Sequence, residues 1–329
     1  MKKILLIGYY GYGNLGDELM RESIKEFLNK ENFKILELLP KKLANSGDSF
    51  SRFNVFSIIR ALMTSDIVIC GGGGIFQDKT SFKSFLYYYL VFKFALFFGK
   101  PVIFFGNSFG PFNWILSRYL FKDILKSKNL YIFARDEVSY NYAKRYNSRT
   151  YLATDPAIRK LTKIKPIDTK DKKAVIIPRK FKNYIPVLLS LSNEGFSEVV
   201  FVPFSPEDIQ LAKKLSNFSV RGIKVSYCNQ IEMAIDHIQQ SKIVISERFH
   251  GSLISAYFGI PFISIKDEKF RRFFQKYFRN YQGYANDVVE ASYKIPDIKG
   301  VKLGKVKESM DKDMEEMYEK FKSLVHNIS

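Results

Sequence analysis

Short apolar runs, each closed by glycine, proline or a polar cluster, alternate along this chain with stretches of helical periodicity. In the first half, Lys3–Tyr9, Phe33–Leu39, Asp66–Cys70, Pro101–Phe105 and Tyr131–Ala134 read as buried strands, and Glu18–Asn29 reads as an amphipathic helix. The rhythm restarts in the second half, where Ala174–Ile177, Glu198–Val202, Lys224–Tyr227, Lys242–Ser246 and Pro261–Ile265 are strand-like. Between them Ile185–Asn193, Pro206–Leu215 and Gln230–Gln240 are helical, and a basic aromatic helix over Lys269–Phe278 follows the last strand. A strand that is apolar on both sides has to be covered on both sides, and helical crossovers give that cover to a parallel sheet. The expected fold is therefore α/β, with two doubly wound Rossmann-like domains facing a cleft. The first domain runs over 1–160, a Lys-, Thr- and Pro-rich linker over 161–173, and the second domain over 174–306. A charged helix within 307–329 is expected to pack back on the first domain.

With 329 residues, 46% of them hydrophobic, the chain has material for two cores. The apolar stretch Phe82–Phe98 is interrupted by Lys83 and Lys93 and falls short of the ~20 residues a spanning helix needs, so it reads as a core helix ended by Gly99. Cys70 and Cys228 are isolated in apolar contexts, which points to buried thiols and not to a disulfide or a zinc site. No secretory leader is visible at the start, and the chain is expected to stay in the cytoplasm. Lys and Arg number 52 against 33 Asp and Glu, a net charge of +19 spread along the whole length. Such a field attracts nucleic acid, anionic lipid or a phosphorylated substrate. Without zinc-finger spacing or an aromatic RNA-binding signature, no specific nucleic-acid partner is expected. Peripheral attachment to an anionic membrane surface at the inner face stays open.

Loops that follow buried parallel strands lie at the carboxyl edge of the sheet, where open α/β folds bind ligands. Arg248-Phe249-His250-Gly251-Ser252 joins the Lys242–Ser246 strand to a helix. Arg248 offers a planar fork for phosphate or carboxylate, and a histidine such as His250 exchanges a proton near neutral pH; the same pair also fits a surface Arg and a helix-capping His. The segment after the first strand holds G-x-G-x-x-G at Gly11, Gly13 and Gly16, and with Glu37 it meets the bare dinucleotide fingerprint. Asp17 and Glu18, however, place carboxylates where a pyrophosphate would sit, which argues against a dinucleotide and makes Asp17 an N-cap. Gly71 to Gly74, with Gln77, Asp78 and Ser81 behind them, read as a loop whose backbone and polar groups meet sugar hydroxyls, or as a tight packing crossover. Gly106-Asn107-Ser108-Phe109-Gly110 reads as a further turn at the same end. Arg135 closes the Tyr131–Ala134 strand, either for an anion or paired with Asp136 or Glu137.

In this order, Gly11 to Glu18, Gly71 to Gly74 with Gln77-Asp78 and Thr80-Ser81, Gly110-Pro111, Arg135-Asp136 with Ser139, Asp155-Pro156-Ala157 and Arg248-Phe249-His250-Gly251 resemble the polysaccharide pyruvyltransferase family over most of the chain. The resemblance implies a fold like the GT-B glycosyltransferases. The implied reaction moves the enolpyruvyl unit of phosphoenolpyruvate onto a sugar of a cell-surface polysaccharide or its lipid-linked precursor, giving a pyruvate ketal. Phosphoenolpyruvate contacts are implied at Arg135, Arg248, Phe249 and Lys269, with Lys266 the alternative to Lys269, and His250 is implied as the catalytic residue. The glycine-rich segments put the sugar acceptor at Gly13, Asn14, Asp17, Gly73, Gly74, Gln77 and Asp78. No resident cofactor and no metal are expected, phosphoenolpyruvate being a co-substrate. The residue types suit that chemistry in their own right: two Arg forks and a Lys can hold a carboxylate and a phosphate, and an imidazole can move protons. Two other readings are a GT-B glycosyltransferase with Arg248 and Lys269 on the diphosphate of a nucleotide sugar, and a non-catalytic binder of polyanions or membrane surfaces.

Overall fold

The computed structural model describes residues 1–44, 47–168, 172–278 and 280–328, which divide into two units. One comprises Met1–Tyr12, Asp17–Lys160 and Asp311–Ser329; the other comprises Gly13–Gly16 and Leu161–Met310. The chain first forms β1 (Lys3–Ile7), α1 (Leu15–Lys30), β2 (Lys34–Leu39), β3 (Ser49–Ser51), α2 (Val55–Thr64), β4 (Ile67–Phe76) and α3 (Phe82–Phe97). Then come β5 (Val102–Phe109), α4 (Ile115–Leu125), β6 (Leu130–Ala134), α5 (Glu137–Lys144), β7 (Thr150–Leu152) and α6 (Ile158–Leu161). The second series is β8 (Lys173–Ile177), α7 (Ile185–Asn193), β9 (Glu198–Phe201), α8 (Pro206–Leu215), β10 (Lys224–Tyr227), α9 (Ala234–Gln239), β11 (Ile243–Ser246) and α10 (Phe249–Tyr257). It ends with β12 (Phe262–Ile265), α11 (Glu268–Phe274), β13 (Tyr284–Ala285), α12 (Val288–Ile298) and α13 (Val306–Asn327).

In the first unit seven parallel strands run in the order β3-β2-β1-β4-β5-β6-β7. Alternate residues of a strand point to opposite faces. Leu5, Ile7, Val68, Cys70 and Phe104 meet α2 to α5 through residues such as Leu62, Phe92 and Phe121. On the other face Phe105 stacks on Phe321 of α13 with ring centroids 4.1 Å apart, and Tyr318 packs between Phe27 and Phe105. The chain from Asp311 onward thus completes the first unit's core. Buried Glu37 receives Arg21 Nε at 2.7 Å and Lys25 Nζ at 2.7 Å from α1. Burial pushes its carboxyl up, but the bonds from those two cations win and hold it below its usual range.

The glycines at 71–74 do not end the strand. β4 continues to Phe76, pairing Gly71 with Phe105, Gly73 with Asn107 and Phe76 with Phe109 across a register shift, and β5 likewise runs through to Phe109. Gly72 and Gly73 take φ of +80° and +79°, which side chains other than glycine's rarely adopt. The buried Asn107 amide donates to Gly72 O at 2.9 Å and Gly73 O at 3.3 Å, so a side chain supplies bonds the irregular ladder lacks. A Cβ on Gly71 would overlap the Tyr10 hydroxyl, and one on Gly72 the Met20 sulfur.

The second unit holds six parallel strands in the order β10-β9-β8-β11-β12-β13. Ile176, Phe201, Ile245 and Ile263 bury one face against α7, α8 and α12. Of the stretch 161–173, residues 169–171 lie outside the described residues. The remainder belongs to the second unit, where Ile167 N–H donates to Gln239 Oε1 at 2.9 Å and Lys173 opens β8.

Because Phe321 fills the core beneath β5 and β6, Phe321→Ala is expected to cost ~3–5 kcal/mol in urea unfolding of the full chain. Phe97→Ala, at a side chain 80% exposed, should stay within ~0.5 kcal/mol of the parent.

Candidate functional site

In the second unit the strand order reverses between β8 and β11. The connections after those two strands leave to opposite faces, and ligands of open α/β sheets bind at the crevice this creates. Glu247 to Gly251 occupy that place. Arg248 has extended backbone (φ −116°, ψ 128°) and caps α10. Its N–H donates to Ser246 Oγ at 3.1 Å, the Ser246 hydroxyl donates back to Arg248 O at 2.7 Å, and Gly251 N–H donates to the same carbonyl at 3.0 Å. Gly251 lets α10 lie this close to the sheet, since a Cβ there would overlap Ser246 Oγ and Ile177 Cδ1.

The Arg248 side chain is 19% exposed, and its Nη2 lies 2.5 and 2.6 Å from the two carboxylate oxygens of buried Asp208 in the first turn of α8. That pair fixes the guanidinium while leaving part of it accessible. Phe249 is buried, its ring 5.2 Å from Phe273 of α11. His250 is half-buried, and residues 13–16 belong to its unit: Leu15 N–H donates to Phe204 O at 2.8 Å, and a Cβ on Gly16 would overlap the His250 imidazole. Gly13 has φ +71°, and a Cβ on it would lie 3.0 Å from the Pro206 ring. The structure thereby groups Gly13 and Asn14 with the unit that carries His250. Lys266, with φ 51°, is exposed in the turn after β12, and Lys269 is exposed in the first turn of α11.

Glu247 and Asp208 belong to this candidate site and are not singled out by any sequence motif. Buried Glu247 accepts the N–H groups of Arg179 at 2.7 Å and Lys180 at 3.2 Å, and it pairs with Lys182, tying the loop after β8 to the end of β11. Its position immediately before Arg248 is the only sequence signal; its partners lie 65 to 68 residues away.

In the first unit the order reverses between β1 and β4. Asp17 stands in the first turn of α1 and is not its N-cap, because the helix already begins at Leu15. A Cβ on Gly73 would lie 3.7 Å from Asp17 Oδ1, so these two expected acceptor residues are neighbours. Gly74 is half-buried behind them. Gln77 is tied to Thr80, whose N–H donates to Gln77 Oε1 at 3.1 Å. Asp78 is buried and accepts the N–H groups of Asn113 at 2.6 Å and Trp114 at 2.9 Å, capping α4, whose N-cap residue Trp114 has no capping side chain of its own. Burial pushes the Asp78 carboxyl up, but the bonds from Asn113, Ser117 and Trp114 prevail and hold it below its usual range.

Arg135, where the family resemblance implies a phosphoenolpyruvate contact, is held by protein partners. It is 1% exposed, its Nε donates to Ser108 Oγ at 2.7 Å, and its Nη1 pairs with Asp155 and not with Asp136 or Glu137. Asp136 instead caps α5, accepting Ser139 N–H at 2.8 Å and the Ser108 hydroxyl at 2.6 Å. In this conformation the guanidinium is buried under the carboxyl edge with Ser108 and Asp155 as partners.

No group of three or more His, Cys, Asp and Glu side chains among the described residues is placed to hold a metal ion. No helix among them is long and apolar enough to cross a membrane.

Two consecutive doubly wound α/β units define the two-domain Rossmann-like class to which the GT-B enzymes belong. Solved structures of that build are similar to this chain. UDP-GlcNAc 2-epimerase from Methanocaldococcus jannaschii has a TM-score of 0.58 at 14% identity, covering 97% of this chain and 100% of its own. The Neisseria meningitidis UDP-GlcNAc 2-epimerase, bound to UDP-GlcNAc, gives 0.59 at 13% with the same coverage. S. aureus MnaA in its UDP complex gives 0.60 at 12%, covering 95% of this chain and 91% of its own. At these identities the likeness establishes the fold alone. No curated protein matches the sequence significantly. The chain belongs to the polysaccharide pyruvyl transferase family, whose model matches residues 14–268.

Asp155→Ala strands a buried guanidinium and is expected to cost ~3–5 kcal/mol in urea unfolding. Asp78→Ala removes a helix cap and should cost ~0.5–2 kcal/mol. Because the folded Asp78 carboxyl lies below its unfolded value of ~3.9, its contribution is present above that pH and is lost as pH falls through the folded value. The melting-temperature gap between wild type and Asp78→Asn should therefore shrink below about pH 4.

Proposed function

We propose that the protein transfers the pyruvyl unit of phosphoenolpyruvate onto a sugar of a cell-surface polysaccharide or its lipid-linked precursor and closes it as a ketal. The observation that carries this reading is the placement of Arg248 and His250, two residues apart, at the start of α10 where the second sheet reverses its order. Family membership supports the reaction type.

In this reading Arg248, held by Asp208, binds one anionic end of phosphoenolpyruvate, and Lys269 or Lys266 from the next strand end binds the other. The first N–H groups of α10 add to the anion's field. Phe249, packed on α11, fixes the helix start that presents both functional neighbours. His250 gives a proton to the methylene carbon, C3, and positive charge develops at C2. A sugar hydroxyl adds to C2 and loses its proton, the C2–O bond to phosphorus-bearing oxygen breaks, and phosphate departs. A second hydroxyl of the same sugar then adds to C2, losing its own proton and closing the ketal. One of the two hydroxyl protons is balanced by the new C–H bond, and the other leaves with hydrogen phosphate. His250 is the acid–base group for these transfers.

Asp17, Gly73, Gly74 and Gln77 supply the acceptor side in the first unit, and Gly13 and Asn14 supply it in the second. Arg135 acts as a positioning residue through Asp155 and Ser108, and Asp78 through its cap on α4. Phosphoenolpyruvate is a co-substrate, and the reading calls for no resident cofactor.

The test is phosphate release from phosphoenolpyruvate across a panel of acceptor glycans, with nucleotide sugars as the competing donors. Turnover of nucleotide sugar with none of phosphoenolpyruvate would replace this reading by a glycosyltransferase. His250→Gln should keep the melting temperature and donor affinity while turnover falls ~10²- to 10⁴-fold. The same change at His237, whose ring nitrogen contacts Lys173 Nζ at 3.0 Å, should affect stability and leave turnover near normal. Wild-type turnover in His250→Gln would remove the mechanism.

A further inference from the structure

A helix that covers a sheet is ordinarily polar on its outer side. In the first unit three helices on one sheet face break that rule together. α2, α3 and α4 bury Leu62, Phe92 and Phe121 inward, yet outward they expose Phe56 (85%), Phe97 (80%) and Ile115 (84%), joined by Phe53, Trp114 and Tyr119. Ring contacts link the start of α2 and the start of α4 to half-buried aromatics of α3: the Phe53 ring lies 5.7 Å from Tyr87, and Trp114 lies 6.0 Å from Phe82. Large apolar side chains left this exposed on neighbouring helices mark interaction surfaces.

The charge around the patch selects its partner. Between Arg52 and Lys128 the sequence has ten Lys and Arg against three Asp and no Glu. All three carboxylates are engaged within the unit: Asp66 accepts Lys3 N–H at 2.7 Å, Asp78 caps α4, and Asp123 pairs with Lys93 at 2.6 Å. Arg60, Lys83, Arg118 and Lys126 stand exposed around the aromatic and aliphatic groups. Aromatic and aliphatic side chains rimmed by cations match the boundary between acyl chains and anionic headgroups. None of the three helices is long enough to span a bilayer, so the contact is interfacial.

We infer that the outer face of α2, α3 and α4 is a docking surface for an anionic lipid membrane. Helices of a parallel sheet begin at its carboxyl edge, and Phe53, Phe56, Trp114 and Ile115 lie at or near the starts of α2 and α4. The N–H of Trp114 is itself held by Asp78, one residue from Gln77. Phe53, Phe56, Trp114 and Ile115 thus border the edge that carries Gln77, Gly73 and Asp17, which suits an acceptor sugar on a lipid carrier. That last step rests on the proposed transfer reaction; the membrane contact does not.

Trp114 is the chain's single tryptophan and reports on this face directly. Full-length protein is mixed with vesicles of phosphatidylglycerol and phosphatidylcholine, and with vesicles of phosphatidylcholine alone. The expected result is a blue shift of Trp114 emission and its quenching by acyl-brominated lipid, with the anionic vesicles and weakening as salt rises. Phe56→Ser with Ile115→Ser should bind anionic vesicles at least about tenfold more weakly, while melting as the parent does because both side chains are exposed. Unchanged emission, vesicle binding with Trp114 still in water, equal binding by the double variant, or a lipid-free dimer that buries Trp114 would each overturn the assignment. Phosphate release on a soluble glycan is unaffected by such a failure, so the catalytic reading is tested separately.

Discussion

Parallel pairing of strands buried on both faces is the constraint on which the rest of this protein depends. A strand such as β11, buried along its whole length, meets water only beyond its ends, so polar chemistry is confined to the edge where the strands stop. Each unit has one place where its strand order reverses, between β1 and β4 and between β8 and β11. The residues with most chemical reach, Asp17 in the first unit and Arg248 and His250 in the second, stand there.

The edge is built as well as furnished. Several residues matching the family's motifs hold the scaffold: Arg135 closes on Asp155 and Ser108, Asp136 on Ser139 and Asp78 on the start of α4. Glu247 does the same for the second unit by taking two backbone N–H groups and Lys182. Buried networks of this kind hold their geometry because each member lost leaves another buried group unpaired. Arg248 is intermediate, anchored by Asp208 yet partly open, the condition required of a side chain that meets a ligand in a fixed orientation.

The sequence revealed the elements whose burial is symmetrical. Strands such as Ala174–Ile177 are continuous apolar runs, and the structure moves that one by a single residue, to Lys173–Ile177. α2 and α4 were not legible because their outer sides are apolar too, which removes the period on which recognition relies. Gly71 to Gly74 looked like a loop; pairing with β5 and the Asn107 amide, brought from 34 and 35 residues away, keeps them in a strand. Arg248 and His250 were legible as a pair at a strand end. The Asp208 that fixes the first and the Gly16 backbone beside the second are set by tertiary packing alone.

The central claim is that the edge of the second sheet around Arg248 holds phosphoenolpyruvate. Calorimetric titration of the full chain with phosphoenolpyruvate, in wild type, Arg248→Ala and Arg248→Lys, tests it most directly. Wild type should bind, and Arg248→Ala should bind about 10- to 100-fold more weakly, as expected for losing hydrogen bonds worth ~1.5–3 kcal/mol to a charged group. Arg248→Lys should recover only part of that, since an ammonium lacks the planar fork. Equal affinity in all three proteins, or binding of a nucleotide sugar with none of phosphoenolpyruvate, would contradict the claim.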